Sequence, residues 1–209
     1  MKILDIYDNL DEDYPSSWSL EEFQKMNSFA KRKRYCEQHL QRISSGSARI
    51  VYKVDEEKVL KLAWNKKGLA QNDLEINYSN DYLLEDIVAR TFAYDDNNLW
   101  VEMELARRVS PSIFKKATGF DWYEYKDAME NHYFRVNLNP HPRSKIAEPS
   151  ATQNRMWEDN WGNEMLSLMQ NYDIPVGDLT RLNSYGLVKR DGQDKVVLID
   201  YGLNNEVYD

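Results

Sequence analysis

The 209-residue chain has one cysteine, Cys36, and three histidines, His39, His132 and His141. A lone thiol excludes an intrachain disulfide and fits a reducing compartment. The histidines stand too far apart for metal-ligand spacing, so they are read as surface or structural groups. Basic residues are the minority charge, 27 Lys and Arg against 35 Asp and Glu, for a formal net charge of -8. Nucleic-acid phosphates call for a basic face, so no nucleic-acid partner is expected. No apolar run approaches bilayer-spanning length, and the acidic start (Asp5, Asp8, Asp11, Glu12, Asp13) is unlike a secretory signal. Internal repeats and low-complexity tracts are also missing. With 42% hydrophobic and 30% charged residues, the chain fits a soluble intracellular globular protein with a sizeable core.

Several elements are legible in the pattern. Ser19 followed by Glu22 fits a helix-opening capping box, and Leu20, Phe23, Met26 and Ala30 recur at helical spacing. A helix is therefore expected from 19 to about 41. Its run Lys31-Arg32-Lys33-Arg34 is a solvated face or a contact for phosphate or an acidic partner. Two apolar runs, Ile50–Val54 and Val59–Ala63, flank a polar turn and predict a β-hairpin, with a helix over about 66–80 to follow. Residues 87–94 and 99–105 are expected as a second strand pair around Asp95-Asp96-Asn97-Asn98. The order hairpin, helix, hairpin predicts an antiparallel sheet with one helix against it. Beyond Arg108 the expectation is a helix over 111–135, an extended Pro-containing loop over 137–153 and a helix over 154–171. Strands 185–190 and 195–200 then flank Asp191-Gly192, a hairpin turn signal.

The segment from 175 onward concentrates chemistry. Asp178 is followed five positions on by Asn183, and Asp200 opens Asp200-Tyr201-Gly202 after the apolar run Val196–Ile199. One carboxylate to take a hydroxyl proton, with an amide oxygen and a second carboxylate to hold magnesium, is the donor set that phosphoryl transfer needs. Here the chain resembles the protein-kinase-like superfamily, whose catalytic loop reads D-x-x-x-x-N and whose metal loop reads D-F-G. The His-Arg preceding the Asp in eukaryotic-type kinases is Val176-Gly177, and Gly before the Asp resembles the small-molecule phosphotransferase branch. Thr180 stands where members carry Lys or His, with Arg181 adjacent as a substitute. Read without the resemblance, Asp178 is a helix-cap or turn Asp, and Asp200 a strand-terminal turn residue.

The resemblance runs from Ser44 to Leu203. It implies that Lys61 contacts the first phosphates, with Glu75 as its ion-pair partner and Glu85 as the fallback; otherwise Lys61 snorkels at a sheet edge. The stretch Ser44–Arg49 aligns with the glycine-rich phosphate cover, but only Gly46 is retained. Backbone amides there, and the hydroxyls of Ser45 and Ser47, are implied phosphate donors, while Arg49 reaches phosphate or closes the cleft. Val101–Leu105 resembles the strand ending at the inter-lobe hinge, with the Glu104 carbonyl and Ala106 amide on adenine and Met103 as pocket wall or plain core.

The implied fold is α+β and two-lobed: a lead-in helix and small antiparallel-sheet N-lobe over 1–105, then a reduced, mostly helical C-lobe over 106–209. With seven residues after Gly202, no activation segment and none of the later helices of a full C-lobe are expected, and the aromatic-rich stretch 111–160 is the expected replacement for the peptide platform. The implied function is magnesium- and ATP-dependent phosphotransfer, to a Ser, Thr or Tyr hydroxyl of a protein, by a small atypical kinase of the kind phages and bacterial effectors carry. The alternatives are a pseudokinase-like binding or inhibitory module and a small-molecule phosphotransferase. The expected partners are a nucleotide and a protein substrate, without a membrane, and the expected location is cytoplasmic, in a host cytoplasm if phage-encoded.

Overall fold

The computed structural model describes residues 17–137, 148–172 and 174–201. The chain divides into two compact units, the first running to Asn77 with Arg90–Ala106, the second holding Tyr78–Ala89 and residues from Arg107 onward. The α+β expectation is met. Unit 1 is built on a five-stranded antiparallel sheet, and unit 2 is mostly helical with a three-stranded sheet.

Unit 1 opens with α1 (Leu20–Gln24) and α2 (Phe29–His39). The single helix expected over 19–41 is therefore two. Ser19 accepts from the Glu22 amide as the pattern required, but Ser28 adopts extended backbone and accepts from the Lys31 amide, starting a second helix. The strands are β1 (Gln41–Ser45), β2 (Arg49–Lys53), β3 (Lys58–Ala63), β4 (Thr91–Tyr94) and β5 (Trp100–Glu104), in spatial order β1-β2-β3-β5-β4. Helix α3 (Lys66–Ser79) follows β3.

Register decides which side chains share a face. Ile50 pairs with Leu62 and Leu62 with Trp100, while Tyr52 pairs with Leu60. These residues pack with Phe23, Cys36 and Leu40 in one buried cluster, so α1 and α2 cover this face. The alternate residues Val51, Lys61 and Val101 align on the other face. β3 is the central strand, which excludes the edge-snorkelling reading of Lys61.

Unit 2 contains β6 (Arg107–Arg108), β7 (Tyr185–Arg190) and β8 (Gln193–Leu198), with helices α4 (Pro111–Thr118), α5 (Trp122–Asn137), α6 (Ala151–Glu158), α7 (Asn160–Asn171) and α8 (Val176–Leu179). The helices expected over 111–135 and 154–171 are each divided. Gly119 caps α4 in the left-handed region (φ 78), and Asp159 turns extended to accept from the Gly162 amide. Asp191 and Gly192 both have positive φ (53 and 78), the turn that matches strand twist in a two-residue hairpin. Residues 87–90 do not join the strand that starts at Thr91. Val88 instead makes an isolated parallel bridge to Leu198 within unit 2. Most of the loop expected over 137–153, together with Gly202, lies outside the described residues. No helix among the described residues is long and apolar enough to cross a membrane.

Candidate active site

Unit 1 carries a buried ionic cluster. Lys61 on β3 places Nζ astride the Glu75 carboxylate, 2.9 Å from Oε1 and 3.0 Å from Oε2. Glu75 is therefore the partner, and Glu85 lies exposed in unit 2, where its carbonyl accepts from Arg190. The Lys61 side chain is 9% exposed and that of Glu75 is 0% exposed. Arg49, at the start of β2, grips the same carboxylate with both ends of its fork, Nη1 to Oε2 at 2.7 Å and Nη2 to Oε1 at 2.9 Å. Burial pushes the Glu75 carboxyl up, yet the facing charges of Arg49 and Lys61 outweigh it and leave it below the ordinary carboxylate range. The Arg49 side chain thus grips α3, through Glu75 and Asn72.

The turn between β1 and β2 is drawn down onto its own unit. Gly46 N–H donates to the Arg49 carbonyl (2.9 Å), so that amide is engaged in closing the turn. The Ser47 carbonyl accepts from Trp64 Nε1 (2.7 Å) and Asn65 Nδ2 (2.9 Å), and the Ala48 carbonyl accepts from the Trp64 amide (3.0 Å). Gly68 opens α3 against this turn so closely that a Cβ there would collide with the Ala48 carbonyl oxygen. Ser45, Gly46 and Ser47 are exposed. Trp64 and Asn65 were absent from the sequence expectations. The exposed tryptophan just past β3 was the available signal.

At the end of β5, Met103 is buried at 1% and Glu104 N–H donates to the Arg90 carbonyl. The Leu105 amide is taken by the Glu57 carbonyl (2.7 Å), whereas the Ala106 amide has no backbone acceptor among the described residues. An amide donor at this strand end suits a heterocycle edge.

In unit 2, Pro175 holds the N-cap of α8 and Asp178 lies inside the helix, which removes the cap reading of Asp178. Asp178 is buried at 8% and its Oδ1 accepts from Arg181 Nη1 at 3.2 Å. A 3-10 turn (Leu182–Ser184) carries Asn183 out to solvent immediately before β7. The Ser184 carbonyl accepts from the Ile199 amide at 2.8 Å. That one rung fixes Asn183 and Asp200, the residues flanking it, at the same open end of the β7–β8 hairpin, both exposed. Tyr201 is buried, donates to the Ala89 carbonyl (3.1 Å) and stacks on Tyr78, so the backbone just after Asp200 is anchored.

The Asp178 segment is also held from below. Tyr185 OH donates to the Leu179 carbonyl (2.8 Å), so the 2.7 Å contact between the two phenols has Tyr125 as donor. Burial pushes both phenols up, keeping them protonated donors. Tyr125 comes from the aromatic-rich α5, which gives that stretch a supporting role the sequence did not disclose. His132 is buried between Gln153 and Gln170, a structural histidine as expected.

No protein-family model matches the chain, and no curated protein does. Among solved structures it is similar to the streptomycin–ATP–APH(2″)-IIa ternary complex, at 12% identity and a TM-score of 0.39 over 81% of this chain and 70% of that one. It is similar to ADP-bound aminoglycoside phosphotransferase APH(2″)-Ib at 13% identity and a TM-score of 0.33, over 81% of this chain and 69% of that one. A gentamicin–APH(2″)-IIa complex aligns at 14% identity and a TM-score of 0.35, over 83% and 69%.

Proposed function

We propose that this protein transfers the terminal phosphoryl group of ATP to a hydroxyl acceptor. The observation that carries the reading is the buried Lys61–Glu75 pair on the central strand and its adjoining helix. A lysine held by a buried carboxylate is a positioned cation, ready to share its protons with nucleotide phosphates. The amide of Ala106 and the wall supplied by Met103 suit the adenine, and Ser45 and Ser47 offer exposed hydroxyls near the turn.

Unit 2, taken by itself, carries groups of the other kinds that the reaction needs. Asn183 and Asp200 flank one hydrogen-bonded rung and present oxygen donors to solvent. Two protein oxygens with phosphate and water making up the rest suit magnesium, which keeps few protein contacts. When bound, the ion neutralises charge on the phosphates. Asp178 orients the acceptor hydroxyl and takes its proton as the oxygen attacks. Arg181 donates to that carboxylate and keeps it aimed until then. The reading places catalysis in positioning rather than covalent chemistry, as this class of reaction favours.

The acceptor is a hydroxyl of a protein or of a small molecule. The purified chain, with labelled ATP and magnesium, would be incubated with cell-lysate protein and, in parallel, with polyhydroxylated small molecules, aminoglycosides among them. Asp178→Asn should retain the nucleotide-induced rise in melting temperature and lose roughly a hundredfold or more in transfer. No thermal response of the wild-type chain to millimolar magnesium-ATP would refute the proposal. A response without transfer to any acceptor would favour a nucleotide-binding module, a reading that the tied-down, glycine-poor turn also supports.

A further inference from the structure

Arg49 stands where the glycine-rich cover of a nucleotide site would end, and its side chain enters the interior instead. Its Nη1 and Nη2 take the two Glu75 oxygens end-on, and Nη1 also donates to Asn72 Oδ1 at 3.2 Å. Asn72 lies one turn before Glu75 on α3 and is itself held by donation to the Asn98 carbonyl (2.8 Å). The Arg49 main chain meanwhile closes the β1–β2 turn by accepting from Gly46. One residue thus ties the turn, β2 and α3 together. The arginine side chain is 9% exposed, so the fork is shielded from the water that would weaken it.

We propose that Arg49 is a positioning residue: it holds Glu75 in place so that Lys61 can pass its hydrogen bonds to a nucleotide phosphate while the carboxylate neither turns nor takes up a proton. The inference rests on the phosphotransfer reading. The physical case is that a fully buried carboxylate left by its only strong cation would protonate or reorient. Here Lys61 approaches from β3 and Arg49 from β2, and the guanidinium keeps its charge at every working pH. The bidentate grip leaves the carboxylate plane defined while Lys61 moves. Lysine in place of Arg49 would keep the charge and lose the fork.

The test uses the whole chain with magnesium-ATP as probe, turnover being read as phosphate release over about pH 5–9. Wild type, Arg49→Gln and Arg49→Lys are compared, with folding checked by circular dichroism. Arg49→Gln should lower kcat about tenfold, change the KM for ATP less than about threefold and raise the acid limb of the kcat profile by about one pH unit. Arg49→Lys should return the acid limb to its wild-type position with kcat still reduced, because a point charge replaces the fork. A merely structural role would move neither the limb nor its recovery in the lysine variant, and that result overturns the inference. Where Arg49→Gln does not fold, the lysine variant decides through the split between constants: kcat reduced with the KM for ATP changed less than about threefold supports the role, and wild-type kcat, or kcat and KM impaired together, overturns it. A wild-type chain with no turnover and no binding of magnesium-ATP overturns the phosphotransfer reading, and the positioning role with it. Failure of the inference alone shows as an active wild type with indifferent Arg49 variants.

Discussion

Replacing Glu75 by Gln isolates the buried cluster with minimal change of shape. In the wild-type chain both carboxylate oxygens accept charge-assisted hydrogen bonds from Arg49 and Lys61, at 2.7–3.0 Å. The amide retains one acceptor oxygen and turns an N–H₂ donor toward two cationic donors, leaving their charge uncompensated by this side chain. Removing one partner from a buried ion pair costs about 3–5 kcal/mol. At about 3 kcal/mol the melting temperature of a chain this size falls by roughly 6–12 °C. The pH dependence makes the prediction specific. The Glu75 carboxyl is held below its ordinary range in the folded chain, so its stabilisation is complete above the ordinary carboxylate pKa and is lost as pH falls through the folded value. The gap between wild type and Glu75→Gln should therefore be widest near neutrality, begin to narrow as pH falls below the ordinary glutamate value of about 4.3, and close only below the lower folded value, where the wild-type carboxyl also becomes neutral. Urea titrations at a series of pH values, with m-values compared so that separate unfolding of the two units is recognised, measure the gap. A gap that is constant with pH, or absent at neutrality, would refute the argument that the two cations hold an ionised carboxylate.

Three further outcomes follow from local geometry. Gly68→Ala places a methyl group against the Ala48 carbonyl oxygen, so despite the better helix propensity of alanine it should destabilise the chain by about 1–3 kcal/mol, seen as a lower melting temperature. Tyr185→Phe leaves the Leu179 carbonyl and the Tyr125 hydroxyl unpaired in a buried site; it should cost about 2 kcal/mol in urea unfolding and, on the proposed function, reduce transfer without weakening the thermal shift induced by magnesium-ATP. His132 has its pKa lowered by burial, with Arg135 adding to the effect, so stability should fall as pH drops below the unfolded imidazole value of about 6.5, and His132→Gln should show a shallower fall in melting temperature between about pH 7 and pH 5.

What the sequence disclosed depended on how local the cause was. The hairpins Ile50–Val54 with Val59–Ala63, and 185–190 with 195–200, were legible because alternation and turn chemistry act within a few residues. β1 was missed because Gln41–Ser45 is an edge strand with only Ile43 buried, so its apolar signal is one residue. The broken helices were missed for a related reason. Ser28 and Asp159 are polar residues of the kind that also decorate helix surfaces, and only their extended backbone makes them caps. The apolar run at 87–90 looked like strand because burial and strand pairing leave the same mark on composition, whereas Val88 makes one bridge and no ladder.

The candidate site divides along the same line. Lys61 and Glu75 were nameable together because strand followed by helix brings residues 14 apart into contact. The Arg49–Glu75 grip spans 26 residues, and no local pattern distinguishes an arginine aimed inward from one aimed at a ligand. The scarcity of glycine in the β1–β2 turn then takes on a physical sense. Gly46 has a backbone outside the left-handed region and open space around its missing Cβ, so neither strain nor crowding demands glycine there. A glycine-rich cover obtains its fit from freedom and loses entropy when a ligand orders it. Here Trp64, Asn65, the close approach of Gly68 and the Arg49 grip fix the turn from the protein side. The ordering cost is then met on folding rather than on binding, and glycine's freedom is no longer needed. The tethers fix what glycine would leave free, and it was the tethers that the sequence concealed.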